Sequence, residues 1–299
     1  MQTIREIRDI LDSAGLSPQK RFGQCFLHDH HFMQALLDLA EVPPGATVLE
    51  VGPGTGSLTE ELLERAAHVV AAEIDRGLSA ALRLRLGGRA DFTLVEGDAL
   101  DSKHALSRRM LAALTSETHL VSNLPYNVAT PLVTQCLVDT WRVHDGSANV
   151  DLRAFPRLTF TVQREVADRF AAAPETSDYG TVSVVASLLG KVTLGPVVPP
   201  TAFWPRPQVD SRIVRIDFRP DPAVENVDRL LTVVGLVMSQ RRKKVSSAAR
   251  RKGSPVARDA MSAALEQAGV NPDVRPDGVT PQQFAAIAAA LGRTGTGMG

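Results

Sequence analysis

From residue 46 onward the chain changes texture every few residues, and that alternation constrains its fold more than any other feature. Thr47–Val51 is an apolar run of strand length, Leu58–Ala67 has helical spacing, and His68–Ile74 is again strand-like. The pattern continues with a helix at Leu78–Leu86, a strand at Asp91–Val95 and a helix at Ala105–Leu114. A strand ending at Leu120–Ser122, a helix at Pro131–Val138, a strand at Leu158–Val162 and a helix at Glu165–Phe170 complete it. Alternation at this spacing predicts an α/β domain, a parallel sheet covered by helices on both faces. Near residue 190 it fails: Val192–Val198 and Val209–Phe218 are joined by "PPTAFWPRPQ" with no helix between, as in an antiparallel pair ending the sheet.

The flanks are helical. Ile4, Ile7, Ile10, Leu11 and Ala14 recur at helical spacing up to Gly15, and Phe32, Leu36, Leu37 and Ala40 form a second such set. After "FRPDP" the pattern is helical at Val227–Met238, Ala257–Ala268 and Pro281–Leu291. A boundary near 219 is expected, giving domains at 1–219 and 220–299, with a disordered tail "GRTGTGMG".

Composition excludes several classes. No apolar run reaches the length of a membrane span, and the first residues lack a signal core. Cys25 and Cys136 do not make a disulfide framework or a metal set, so the expectation is a soluble cytosolic protein. "HDHH" at 28–31 reads as Asp29 capping the following helix, and no metal site is assigned. With 33 basic and 33 acidic residues the net charge is zero, which argues against binding nucleic acid by bulk charge. The charge is unevenly placed, however: "SQRRKKVSSAARRKG" at 239–253 holds seven Lys or Arg and no acid, which suits an RNA-facing patch.

The first strand of the alternation runs into Gly52-Pro53-Gly54-Thr55-Gly56-Ser57. Glycines at a strand-to-helix turn allow close approach of the backbone to a ligand at the helix N-terminus. Glu73 closes the second strand, 21 residues after Gly52, where an acid can accept from both hydroxyls of a ribose. Asp98, in "VEGDAL", closes the third, where it can meet an adenine edge. Three consecutive strand ends of this kind imply an adenosine-containing cofactor; the pattern leaves a dinucleotide and S-adenosylmethionine both open.

The fourth strand ends in "SNLPYN", placing Asn123–Tyr126 beside the same crevice. The N6 amine of adenine is a poor nucleophile because its lone pair is delocalised into the ring. Two neutral acceptors, the Asn123 side-chain carbonyl and the Leu124 backbone carbonyl, could hold its two hydrogens and favour tetrahedral geometry at nitrogen. Pro125 lacks an N–H and restrains the residue before it, and Tyr126 offers a face on which a base can stack. Catalysis by alignment and transition-state hydrogen bonding needs no strong base.

These motifs, with "RFGQCFL", "AAEID", "VQREVADR", "AFWPRPQVDS" and "QRRKK" in order between about Lys20 and Phe284, resemble the ribosomal RNA adenine N6,N6-dimethyltransferases. The resemblance implies a Rossmann-like class I methyltransferase sheet with a small C-terminal helical domain. It implies dimethylation of two adjacent adenosines near the 3′ end of small-subunit rRNA, within an assembling ribosomal subunit, by a monomer. By position, Cys25, Leu27, Gly52, Gly54, Glu73, Asp98 and Asn123 would bind S-adenosylmethionine. Asn123, Leu124, Pro125 and Tyr126 would receive the adenine, with Phe203 on its other face. Lys20, Arg21, Arg241, Arg242, Lys243 and Lys244 would meet RNA phosphates.

Two departures stand out. Cys25 occupies a position commonly Asn or His, and a thiol is a weaker hydrogen-bonding group. The segment 141–157, "WRVHDGSANVDLRAFPR", is longer than expected and would be a loop on the RNA side or a surface insertion. Alternatives are a large-subunit rRNA adenine methyltransferase of the resistance type, a non-catalytic assembly factor and, remotely, a nicotinamide oxidoreductase.

Overall fold

The computed structural model describes residues 1–19, 22–148, 151–250 and 254–293. The expected RNA contacts Lys20 and Arg21, and tail residues 294–299, lie outside them. The chain divides into two compact units, Met1–Ala167 with Val192–Phe218, and Asp168–Lys191 with the residues from Arg219 onward.

The first unit holds a seven-stranded sheet. Its strands are β1 (Thr47–Val51), β2 (His68–Glu73), β3 (Phe92–Glu96), β4 (His119–Asn123), β5 (Arg157–Gln163), β6 (Gly190–Val198, whose first two residues fall in the other unit) and β7 (Ser211–Phe218). They lie in the order β3-β2-β1-β4-β5-β7-β6. The pairs β3/β2, β2/β1, β1/β4 and β4/β5 are parallel, and β7 runs antiparallel to β5. The expected α/β Rossmann-like sheet is therefore present. Strand β1 is buried along its whole length, as a central strand covered on both faces must be, which explains its near-continuous apolar sequence.

Helices α1 (Ile4–Ser13), α2 (His30–Ala40), α3 (Ser57–Leu63), α4 (Arg76–Leu86), α5 (Arg108–Ala113) and α6 (Ala129–Asp145) belong to this unit, and α7 (Arg164–Phe170) begins in it. Asp29 caps α2 as expected, its side chain accepting from the N–H groups of His31 and Phe32. Core side chains such as Leu36, Val48, Leu62, Val69 and Ile213 are essentially without solvent contact.

Three segments differ from expectation. The helix expected at Ala105–Leu114 is a small hairpin, Leu100–Ser102 with Ala105–Leu106, followed by the shorter α5. Segment 141–157 is no simple loop: α6 runs to Asp145, Gly146 ends it with φ +75°, and Trp141 and Phe155 are buried at either side. The boundary near 219 misplaces Asp168–Lys191, which belongs to the helical unit. Its helix α8 (Thr181–Leu189) follows Tyr179, fully buried, whose hydroxyl donates to the Val279 carbonyl at 2.8 Å. The Glu175 N–H donates to the Asp277 carbonyl at 2.8 Å, so long-range bonds hold this segment to the C-terminal helices. The helical unit is completed by α9 (Val227–Met238), α10 (Arg258–Gln267) and α11 (Pro281–Arg293).

Candidate active site

The strand order reverses between β1 and β4, and a crevice opens at the carboxyl ends of the strands at such a point. Regular pairing of these two strands stops at Leu49 opposite Leu120. Beyond it the Ser122 hydroxyl takes over: it donates to the Val51 carbonyl at 2.6 Å and accepts from the Val51 N–H at 3.3 Å. The strands thus part without leaving Val51 unpaired, and Gly52 comes to lie beside the Asn123–Tyr126 segment. A cleft of about 1110 Å³, open to solvent, starts there.

Gly52, Gly54 and Gly56 have φ of +74°, +61° and +86°, a region that side chains disfavour. A Cβ on Gly52 would stand 2.9 Å from Pro125 Cγ, and one on Gly54 would stand 2.7 Å from the Phe26 ring. The loop is a cradle that any side chain would fill. Glu73, 4 % exposed, lines the cleft; its two oxygens accept the N–H groups of Gly54 at 3.1 Å and Asp75 at 2.9 Å. Each keeps a lone pair for a ligand hydroxyl. Burial pushes the Glu73 carboxyl up to about 7, against the pull of those backbone donors. Asp98 also lines the cleft, exposed, with one oxygen accepting the Leu100 N–H at 3.0 Å.

Asn123 donates through Nδ2 to the Cys25 carbonyl at 3.0 Å. That bond turns the amide so that Oδ1 is the end left to accept. The Leu124 N–H donates to the Thr161 carbonyl at 3.2 Å, and among the described residues no donor meets the Leu124 carbonyl itself. Tyr126 is held at its tip, its hydroxyl 2.9 Å from Ser211 Oγ, and burial pushes its pKa up. Cys25, Leu27, Leu124 and Pro125 line the same cleft, and burial raises the Cys25 thiol pKa.

Phe203 does not join them. It is 1 % exposed and packs in the core of the first unit with Leu27, Met33 and Ala202. Phe203–Trp204 forms a two-residue ladder with Phe26–Leu27, and adjacent residues on a strand face opposite ways. Trp204 is left to stack on Phe26, with the Arg8 guanidinium over its ring. A second aromatic face for the base is therefore not supplied by Phe203.

In the helical unit, Arg241, Arg242, Lys243 and Lys244 follow α9 and are all exposed. Arg241 donates to the Ser177 carbonyl and Lys244 pairs with Asp273 at 2.9 Å.

Sequence reasoning missed Glu50. It stands in the middle of buried β1, 2 % exposed, lines the cleft, and accepts from Thr59 Oγ1 at 2.6 Å. Burial lifts it to about 8, with the Thr59 bond opposing and the nearby Glu73 adding to the rise. An acid inside an otherwise apolar strand was its signal. Ser122, Asp75, Gln24 and Ser211 gave no comparable signal, since their work is done through contacts distant in sequence.

The glycine cradle, the buried acids and the mixed apolar lining suit an adenosine ligand that also carries positive charge, as S-adenosylmethionine does. Comparisons with known proteins agree. The "Ribosomal RNA adenine dimethylase" family profile matches residues 15–292. "Ribosomal RNA small subunit methyltransferase A" of Moorella thermoacetica is 38% identical over 94% of this chain and 95% of its own. The protein of that name from Streptomyces griseus is also 38% identical, over 95% and 92%. Among solved structures, the 23S rRNA methyltransferase ErmE is 28% identical with a TM-score of 0.60, over 89% of this chain and 99% of its own. A dimethyladenosine transferase from Plasmodium falciparum shares the fold at a TM-score of 0.70 and 21% identity, over 90% and 98%. The protein is an S-adenosylmethionine-dependent methyltransferase of rRNA adenine. With its sequence matched almost from end to end, the chain belongs to the ribosomal RNA adenine dimethylase family.

Proposed function

We propose that this chain dimethylates the N6 amines of two adjacent adenosines near the 3′ end of small-subunit rRNA, as a cytoplasmic monomer acting on an assembling subunit. The observation that carries the transfer chemistry is the Asn123 amide, turned by the Cys25 carbonyl to present Oδ1 beside the Leu124 carbonyl. The small-subunit target is favoured by the near-complete match to relatives named for that subunit.

Gly52 and Gly54 would admit the cofactor to the backbone, Glu73 would accept from its ribose hydroxyls, and Asp98 would meet its adenine. Cys25 and Leu27 line its path, Cys25 by its backbone and thiol in place of a stronger polar side chain. When bound, S-adenosylmethionine supplies an electrophilic methyl group on a sulfonium sulfur. Asn123 Oδ1 and the Leu124 carbonyl accept the two N6 hydrogens, turning the nitrogen lone pair out of the adenine plane and towards that methyl. Transfer would form the N–C bond as the C–S bond breaks, the sulfur leaving as a neutral thioether, and the resulting ammonium would lose a proton to water. Tyr126, braced by Ser211, supports one face of the base, a stacking contact worth about 1–3 kcal/mol. Arg241, Arg242, Lys243 and Lys244, with Lys20 and Arg21, take phosphates; because the target base must be unpaired or splayed, the substrate is structured RNA with an accessible loop.

The test is transfer of labelled methyl groups to undermethylated small subunits, with large subunits as control and modified positions mapped. Dimethyladenosine at two neighbouring small-subunit positions is the expected result. Label confined to large-subunit RNA would reassign the target, and binding without transfer would make the chain an assembly factor.

The acids give this site a pH signature. With Glu73 near 7, roughly a tenth is ionised at about pH 6 and nine-tenths at about pH 8. Cofactor that needs the ionised carboxylate should bind about tenfold tighter at the higher pH, and Glu73→Gln should flatten the profile. Stability of the ligand-free chain runs the other way. Glu50 and Glu73 ionise at about 8 and about 7 when folded, against an ordinary 4.5. The folded form therefore binds more protons across that window and loses stability as pH rises through it. Calorimetric titration and thermal melts at the two pH values check both directions.

A further inference from the structure

Asp75 and Gln24 have no part in the transfer as described, yet beside the cleft they share a dense set of hydrogen bonds. Asp75 is 5 % exposed. Its Oδ1 caps α4, accepting the N–H groups of Gly77 at 2.9 Å and Leu78 at 3.2 Å. Its Oδ2 accepts from Gln24 Nε2 at 3.0 Å and from Gln19 Nε2 at 3.2 Å. The other end of the Gln24 amide, Oε1, accepts the Gln19 N–H at 2.8 Å. Gln24 is thus fixed at both ends to a carboxylate that is itself fixed to a helix.

The next residue is Cys25, and its carbonyl is the acceptor that Asn123 Nδ2 donates to. The two ends of a carboxamide are alike in shape and opposite in hydrogen bonding. Presented with Oδ1 outward, Asn123 accepts a hydrogen from an amine; turned over, it would meet that amine donor to donor. Among the described residues, the bond to Cys25 is the only hydrogen bond of the Asn123 side chain that selects between these states.

We propose that Asp75 and Gln24 are positioning residues: by fixing the Cys25 carbonyl, they hold the Asn123 amide with its oxygen towards the amine whose hydrogen it accepts. This rests on the reading of Asn123 as an acceptor of the N6 hydrogens. It also assigns a purpose to the "GQC" and "EID" motifs beyond their lining of the cleft. Cys25 takes part in this arrangement through its backbone carbonyl, a role independent of its thiol.

The bond can be broken and remade with its polarity reversed. Gln24→Glu sets a carboxylate against Asp75, and Asp75→Asn sets an amide N–H₂ against that of Gln24. Together, Glu at 24 can accept from Asn at 75 while still accepting the Gln19 N–H, the Asn oxygen can still cap α4, and the Gln19 side-chain amide, which donated to Asp75, turns over so that its oxygen accepts the second Asn N–H. Two readouts are taken on the full chain: the side-chain amide resonances of Asn123 by ¹⁵N NMR, and single-turnover methyl transfer at saturating cofactor. Each single variant should shift the Asn123 resonances and slow transfer by about 10²-fold, as expected for a misplaced catalytic contact. The double variant should return both to within about twofold of the starting protein. A merely structural weakening would lower thermal stability and leave the Asn123 resonances in place. Unmoved Asn123 resonances in the single variants, or a double variant no better than either, would overturn the proposal. Resonances that move while transfer stays unchanged would uphold the positioning and overturn the acceptor reading of Asn123 instead. Should Asp75→Asn fail to fold, Gln24→Glu, which leaves the cap intact, carries the test alone.

Discussion

Replacing Asn123 with alanine is expected to lower methyl transfer by about 10²–10³-fold, the usual cost of removing one preorganised transition-state hydrogen bond. Asn123 also lines the cleft in which the cofactor is proposed to bind, so cofactor affinity should fall by no more than about tenfold, one ordinary hydrogen bond. The sharper variant is Asn123→Asp. Aspartate has nearly the shape of asparagine and is a stronger acceptor, so acceptor strength alone predicts retained or improved transfer. It cannot donate to the Cys25 carbonyl, however, and would set two acceptors against each other where a 3.0 Å bond now stands. The carboxylate should swing away, and transfer should fall about as far as with alanine. Parallel measurement of single-turnover rate and cofactor dissociation constant separates the two effects. Full activity in Asn123→Asp would show that amide orientation has no part in the chemistry, and full activity in Asn123→Ala would remove Asn123 from it.

Much of this site could be read before the structure, for a physical reason. Residues that end consecutive strands of a parallel sheet meet at one edge, so Gly52, Glu73, Asp98 and Asn123 are gathered by topology alone. Side-chain direction is harder to read. Phe203 lies next to Trp204, and only the ladder with Phe26–Leu27 determines which of the two faces the core. The helix over Thr181–Leu189 and the membership of Asp168–Lys191 in the helical unit depend on Tyr179 meeting Val279, a contact 100 residues apart that leaves no local pattern. Glu50 was visible as an anomaly in a buried strand. Its raised pKa was not, since that comes from desolvation and from the charge of Glu73. Ser122 reads as one more small residue until the parting of β1 and β4 shows that its hydroxyl substitutes for a missing rung of the ladder.

Gly52→Ala is expected to damage cofactor binding and transfer together. At φ +74° an alanine carries about 1–2 kcal/mol of backbone strain. Its Cβ would also stand 2.9 Å from Pro125 Cγ and 3.1 Å from Pro125 Cδ. A proline ring cannot swing away as a flexible side chain can, and such overpacking costs about 1–3 kcal/mol more. The sum, about 2–5 kcal/mol, is a large part of the 5–15 kcal/mol by which domains are ordinarily stable. Relief can come from moving the glycine loop, which withdraws the cradle from the cofactor. It can also come from moving Pro125, which displaces the Leu124 carbonyl and the Tyr126 ring on either side of it. Both routes lower transfer, and only the first must lower cofactor affinity, so the ratio of the two losses reports which wall yields. Gly45→Ala is the control: it shares the left-handed backbone at φ +83°, but its added Cβ has nothing within 4 Å. It should show the strain in a thermal melt and spare cofactor binding and transfer. If Gly52→Ala behaves like Gly45→Ala, the contact with Pro125 is soft and the glycine loop and the acceptor segment are not mechanically joined. If it loses both activities at a modest change in melting, the close approach of Gly52 to Pro125 is what registers the cofactor against the adenine it methylates.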